Sequence, residues 1–239
     1  GFGDQVKSKK KLNYYLTEKK YSQILNEALK NHSIGNLTEA SKYYQYLIED
    51  GFKDERVFNN YGMILILLGK LKEAELSIRK AIELNPKNEA SYLNLGGVLN
   101  DLGKFKEAEI VIRKAIQINQ KNSAAYSNLG GILKELGKLK EAEIVIRKAI
   151  QINPYLADAH YNLGYVLKEL GNLREAEVST RKAIEINPNL PNAHMSLGFI
   201  LSDLGKLEDA ELSTLKAIKL KPKDLGLCYQ NLSLLYFAK

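Results

Sequence analysis

The 239-residue chain predicts an all-α fold built from stacked helical hairpins, and three observations predict it. Residues 92–119 and 126–153 align without a gap, 34 residues apart, and are identical at 23 of 28 positions. Within that unit, apolar residues recur at spacings of three and four, which marks one face of a helix rather than a strand. Glycine and proline then punctuate every unit at fixed places, so each period holds two helices and a turn.

The period places repeats at 55–88, 89–122, 123–156, 157–190 and 191–224. Residues 21–54 keep the length but only part of the pattern, with Gly35, Ala40, Tyr44 and Leu47 in register, and read as a degenerate first repeat. Residues 225–239 restart one residue late as a partial repeat or capping helix, and residues 1–20 read as a basic, disordered tail.

Counting from the first residue of each repeat, position 4 is Phe58, Tyr92, Tyr126, His160 and His194, position 7 is Tyr61, Leu95, Leu129, Leu163 and Leu197, and position 11 is always leucine. These lie on one helical stripe with glycine at position 8 (Gly62, Gly96, Gly130, Gly164, Gly198). A glycine inside a helix costs about 1 kcal/mol against alanine, so its recurrence points to close approach of a neighbouring helix. A second glycine at position 15, from Gly69 to Gly205, suits the left-handed residue that ends the first helix. Alanines at positions 20 and 27 give the second helix a small-residue packing face, and Pro86, Pro154, Pro188 and Pro222 at position 32 stop it.

With an aromatic at position 4, Leu-Gly at 7 and 8, Gly at 15, Ala at 20 and 27 and Pro at 32, the chain resembles the tetratricopeptide repeat family over residues 55–224. His160 and His194, Thr180 and Thr214 at position 24, Gln120 in place of proline and the eroded first unit depart from that pattern. The resemblance implies a right-handed superhelical solenoid of antiparallel helix pairs, whose first helices line a concave groove that binds peptides or other proteins.

Composition is that of a globular or repeat protein, 45% hydrophobic and 26% charged. Its longest strongly apolar run, Met63 to Leu68, is too short for a membrane span. No signal peptide is evident and there is one cysteine, so a reducing, cytoplasmic setting is expected. Of the net charge of +7, the first twenty residues supply +4, from six lysines against Asp4 and Glu18. A short lysine-rich tail is ordinarily a solvated one, and a nucleic-acid role is disfavoured.

The sequence offers no catalytic constellation. His160 and His194 replace packing aromatics and read as core residues, and Cys228 reads as a buried thiol. No phosphate loop, G-x-S-x-G or HExxH motif occurs, so no enzyme activity, metal or cofactor is expected. Arg79, Arg113, Arg147 and Arg181 follow Glu75, Glu109, Glu143 and Glu177 by four residues, as surface ion pairs on a helix do.

Position 6 does not fit a packing account. It holds Asn60, Asn94, Asn128 and Asn162, then Ser196, then Asn231 in the shifted terminal unit. At 100° per residue it points ~150° away from the apolar stripe. Positions 9 and 13 share its face: Gly97, Gly131, Tyr165 and Phe199 at the first, Asp101, Glu135, Glu169 and Asp203 at the second. An amide has both a donor and an acceptor, so a row of them can hold the main chain of an extended peptide. This is similar to the asparagine ladder in the repeat arm of O-linked N-acetylglucosamine transferases. Two rival origins of the row stay open beside it: amides bonded to one another between repeats, and recent duplication of one ancestral repeat.

The expectation is therefore a non-catalytic scaffold whose partner is a protein or peptide, held by Asn60, Asn94, Asn128 and Asn162 with the glycines, aromatics and acids beside them. The alternatives are the targeting arm of a larger glycosyl-, sulfo- or methyltransferase, since the chain opens without methionine and reads as a fragment, and a self-associating scaffold.

Overall fold

A computed structural model describes the backbone of residues 2–222 and 225–238 and the side chains of residues 18–222 and 225–237. Among the described residues its regular secondary structure is all α-helix, joined by short turns. The helices are α1 (Phe2–Ser33), α2 (Leu37–Glu49), α3 (Glu55–Leu67), α4 (Leu71–Leu84), α5 (Glu89–Asp101), α6 (Phe105–Ile118), α7 (Ser123–Glu135), α8 (Leu139–Ile152), α9 (Ala157–Glu169), α10 (Leu173–Ile186), α11 (Pro191–Asp203), α12 (Leu207–Lys219) and α13 (Leu225–Ala238). They form two compact units, Gly1–Lys104 with α1 to α5 and Phe105–Lys239 with α6 to α13.

Within each unit every helix packs on the next along the chain, and the first helices of successive hairpins also touch: α3 with α5 in one unit, α7 with α9, α9 with α11 and α11 with α13 in the other. Each unit is a helical-repeat solenoid of hairpins. Sequence chemistry explains the turns. Asp54, Asn88 and Asn122 cap the next helix by accepting backbone N–H bonds through their side chains. At the other end, Gly103 sits at φ +72°, Lys104 N–H donates to Leu99 C=O at 2.8 Å and Gly103 N–H to Asn100 C=O at 2.9 Å, a Schellman closure that favours glycine.

The position-8 glycines mark the closest approach inside a hairpin. A Cβ on Gly62 would come within 2.5 Å of Ile78 Cγ1, and one on Gly130 would collide with Ile146. In the next two repeats the facing residue is Thr180 or Thr214, whose hydroxyl donates to the carbonyl of Ala176 or Ala210 at 2.8 Å. Threonine is tolerated there because the helix itself satisfies its polar atom.

Two segments differ from the sequence expectation. The backbone of α1 is helical from Phe2, where the sequence reads as a disordered tail over residues 1–20. Lysine, leucine, glutamine and glutamate are good helix formers and no proline interrupts them. The side chains of residues 1–17 lie outside the described residues. In α13 the buried residues are Cys228, Asn231, Leu232 and Leu235, a stripe with spacings of three, one and three. Asn231 thus belongs to the packed face and not to the asparagine row: its Nδ2 donates to Thr214 Oγ1 at 2.9 Å.

Candidate functional site

The asparagine row behaves differently in the two units. In the first unit, Asn94 Nδ2 donates to Asn59 Oδ1 at 3.0 Å, Asn59 Nδ2 lies 3.4 Å from Asn60 Oδ1, and Asn60 Nδ2 donates to the Tyr44 hydroxyl at 3.3 Å. His32 Nδ1 stands 3.4 Å from the same hydroxyl. Burial pushes the Tyr44 phenol above its ordinary range, the bond from Asn60 only partly offsetting it. Asn60 and Asn94 are therefore part of an amide chain between hairpins. The sequence suggests such bonding but does not reveal its key member, Asn59, a buried amide at position 5.

In the second unit, Asn128 is exposed and Asn162 half-buried, and among the described residues neither side chain makes a hydrogen bond. Gly131 lies beside them, and a Cβ added to it would meet only Asn162 Nδ2, at 3.8 Å. Gly97 in the first unit is likewise open, with nothing within 4 Å of its Cβ direction. These glycines do not admit a neighbouring helix, unlike those at position 8; they leave a strip of backbone uncovered.

Tyr165 and Phe199 are half-buried on α9 and α11. Lys134, which the sequence reading leaves out of the site, places its ammonium 4.6 Å from the Tyr165 ring centroid and 2.8 Å from Glu135. Lys168 lies 3.6 Å from both Glu169 and Asp203. These lysines occupy position 12, three residues past the glycine or aromatic of position 9, so helical spacing was the signal that could have found them. Asp101 makes no ion pair among the described residues. Asp101 and Glu135 are not paired with the lysines three residues on, because Lys104 bonds Glu75 at 2.7 Å and Lys138 bonds Glu109 at 2.8 Å.

Those last bonds recur along the second helices of both units. Glu75, Glu109 and Glu177 each accept from the arginine four residues on and from a lysine of the following repeat, Lys104, Lys138 or Lys206. The lysine bond comes first in holding the Glu109 and Glu177 carboxyls below their ordinary range, against partial burial. At Glu75 burial acts first and upward, and the bonds from Lys104 and Arg79 outweigh it. Glu143 lacks such a rung: the equivalent residue to Lys138 one repeat on is Asn172.

The two histidines sit where the aromatics of position 4 would, each ring Nε2–H donating to a proline carbonyl, His160 to Pro154 and His194 to Pro188, both at 2.9 Å. Among the described residues no three His, Cys, Asp or Glu side chains converge as a metal site would need, and no helix is long and apolar enough to cross a membrane.

Residues 27–151 match the family model of the middle TPR-like domain of cilia and flagella-associated protein 70, and residues 157–190 and 180–211 match tetratricopeptide repeat models. No curated protein matches the chain in sequence. Among solved structures, YrrB, described as a TPR protein with an unusual peptide-binding site, is 24% identical, with 81% of this chain and 100% of YrrB covered at a TM-score of 0.59. TTC0263, a thermophilic TPR protein of Thermus thermophilus, is 24% identical over 76% of this chain and 99% of its own, TM-score 0.65. MamA is 26% identical over 67% of this chain and 94% of its own, TM-score 0.57.

Proposed function

Since the chain belongs to the tetratricopeptide repeat family, we propose that it is a protein-interaction scaffold, without catalysis of its own, that holds an extended peptide on the first-helix face of its second unit. The observation that carries this reading is the pair of unbonded amides, Asn128 and Asn162, beside the uncovered backbone of Gly131. A primary amide can receive a peptide N–H and donate to its C=O, and an open glycine gives the peptide backbone room to approach. Tyr165 and Phe199 add contact area at low entropic cost, and Glu135, Glu169 and Asp203 line one side. The peptide-binding site of YrrB lends support to peptide binding as the function of such a fold.

The test is calorimetric titration of a peptide selected from a random display library against this face. Changing Asn128 and Asn162 together to alanine should weaken it at least tenfold, since each lost bond is worth roughly 0.5–1.5 kcal/mol net, while the melting temperature holds. Unchanged affinity would remove the amides from the function.

Self-association is a second reading, favoured by α13, where Tyr229, Leu234 and Phe237 are exposed. Sedimentation over a concentration series tests it: a monomer at every concentration sinks it.

A further inference from the structure

The second helices carry a row that packing does not explain. Ile110, Ile144, Val178 and Leu212 occupy position 22 of their repeats, on α6, α8, α10 and α12, and are 70%, 69%, 68% and 67% exposed. A single exposed aliphatic is unremarkable, but four in register make one continuous feature of this unit. Four residues before and after each one, on the same side of its helix, stand cations: Lys106 and Lys114, Lys140 and Lys148, Arg174 and Lys182. In α12 the first of these is Glu208 and the second Lys216. Lys182 is paired with Glu185, whereas Lys106, Lys140, Arg174 and Lys216 make no ion pair among the described residues.

Beside the row the surface is cleft. No contact comparable to that between first helices joins α8 to α10 or α10 to α12 among the described residues. A cleft of about 650 Å³ lies between α8 and α10, floored by His160 and Leu163 of α9 and flanked by Val178. One of about 410 Å³ repeats the arrangement between α10 and α12, over His194 and Leu197 and beside Leu212. A third, of about 500 Å³, lies on α8 against Ile144 and Tyr126.

From the aliphatic row, its two cationic borders and the clefts in step with it, we infer that the second-helix face of this unit docks an acidic amphipathic helix of another protein. Like charge disfavours the same face of a second copy. The clefts accept large side chains, which a partner protein supplies and a lipid headgroup layer does not. Because, among the described residues, α8, α10 and α12 do not pack on one another, successive sites lie farther apart than the ~8–10 Å between packed helices, and at a rise of 1.5 Å per residue a partner helix laid along the row meets them at intervals of about seven residues or more. Its apolar residues at that spacing face the aliphatics, and carboxylates on either side face the lysines. This site is separate from the asparagine face and does not rest on the reading of it.

The probe is a synthetic, fluorescently labelled helical peptide of about 21 residues, long enough for three such sites, with leucine or phenylalanine at every seventh and adjoining fourth position and glutamate on its flanks, followed by anisotropy. The full chain should bind it, and the affinity should fall at least tenfold in Ile144→Ser/Val178→Ser and severalfold in Lys140→Glu/Lys148→Glu, each with an unchanged melt because the residues are exposed. Asn128→Ala/Asn162→Ala should bind the probe as the parent does. The inference is overturned if the probe does not bind, if the serine variant binds it equally, or if a lysine-flanked version of the probe binds as tightly. It is likewise overturned if the row's variants lose binding to vesicles of phosphatidylserine and phosphatidylcholine while the probe is unaffected, which would make the row a membrane contact.

Discussion

The two units share one repeat and use its asparagine oppositely. In the first, Asn94 reaches back to Asn59 and Asn60 to Tyr44, so the amides join one hairpin to the next. In the second, Ser127 takes the place relative to Asn162 that Asn59 holds relative to Asn94, and Asn162 makes no bond. A serine side chain is shorter than an asparagine by a carbonyl group, and Ser127 is itself buried. For Asn94 and Asn162 the residue at position 5 of the preceding repeat thus decides whether the amide is structural or left available, whereas Asn60 is held by Tyr44.

The largest expected effect is one the units should share. Gly62→Leu and Gly130→Leu both force a side chain into Ile78 or Ile146, and each should lower the stability measured in urea by ~1–3 kcal/mol, with losses spreading to neighbouring hairpins. Equal, negligible losses would mean that the close approach at position 8 is not what holds a hairpin together.

Next in size, alanine at position 6 should separate the units. Asn94→Ala strands the buried Asn59 oxygen and should cost ~1–3 kcal/mol in chemical denaturation, whereas Asn162→Ala should be neutral or slightly stabilising. The comparison breaks if the two variants melt alike.

It can be sharpened by transplanting the first unit's chemistry into the second. Ser127→Asn offers Asn162 the acceptor that Asn94 has, and should add ~0.5–1.5 kcal/mol while weakening a peptide bound at that face. Gain of stability with intact binding would detach Asn162 from the site. Gly131→Ala should stabilise by up to ~1 kcal/mol through helix propensity, since its Cβ meets only Asn162, and it too should weaken a peptide that approaches the backbone.

The smallest effect concerns the charge ladder. The Glu109 and Glu177 carboxyls are held low in the folded chain, chiefly by Lys138 and Lys206, so the stability they add is complete above the unfolded carboxylate range and is lost as pH falls through the depressed folded values. Melting temperature should drop on acidification below about pH 4.3, and less steeply in Glu109→Gln/Glu177→Gln. Identical pH profiles for parent and variant would show that other groups set the acid response.

The sequence by itself determined the hairpin, its period and its punctuation. Those follow from local causes: helical spacing of Leu95 and Leu99, a left-handed turn at Gly103, and a glycine facing an isoleucine one helix on, as Gly130 faces Ile146. It also brought the candidate site residues into view, because periodicity places Asn128, Gly131 and Glu135 on one helical face. Which of those amides is engaged was not legible, since a hydrogen bond between Asn94 and Asn59 depends on how two hairpins stack and on side-chain reach across them. The same holds for Asn231, drawn into the packed face by Thr214, for the choice of Glu75 and Glu109 over Asp101 and Glu135 as partners of Lys104 and Lys138, and for the helix over residues 2–20. Local pattern sets which way a side chain points, and only tertiary structure decides what it meets there.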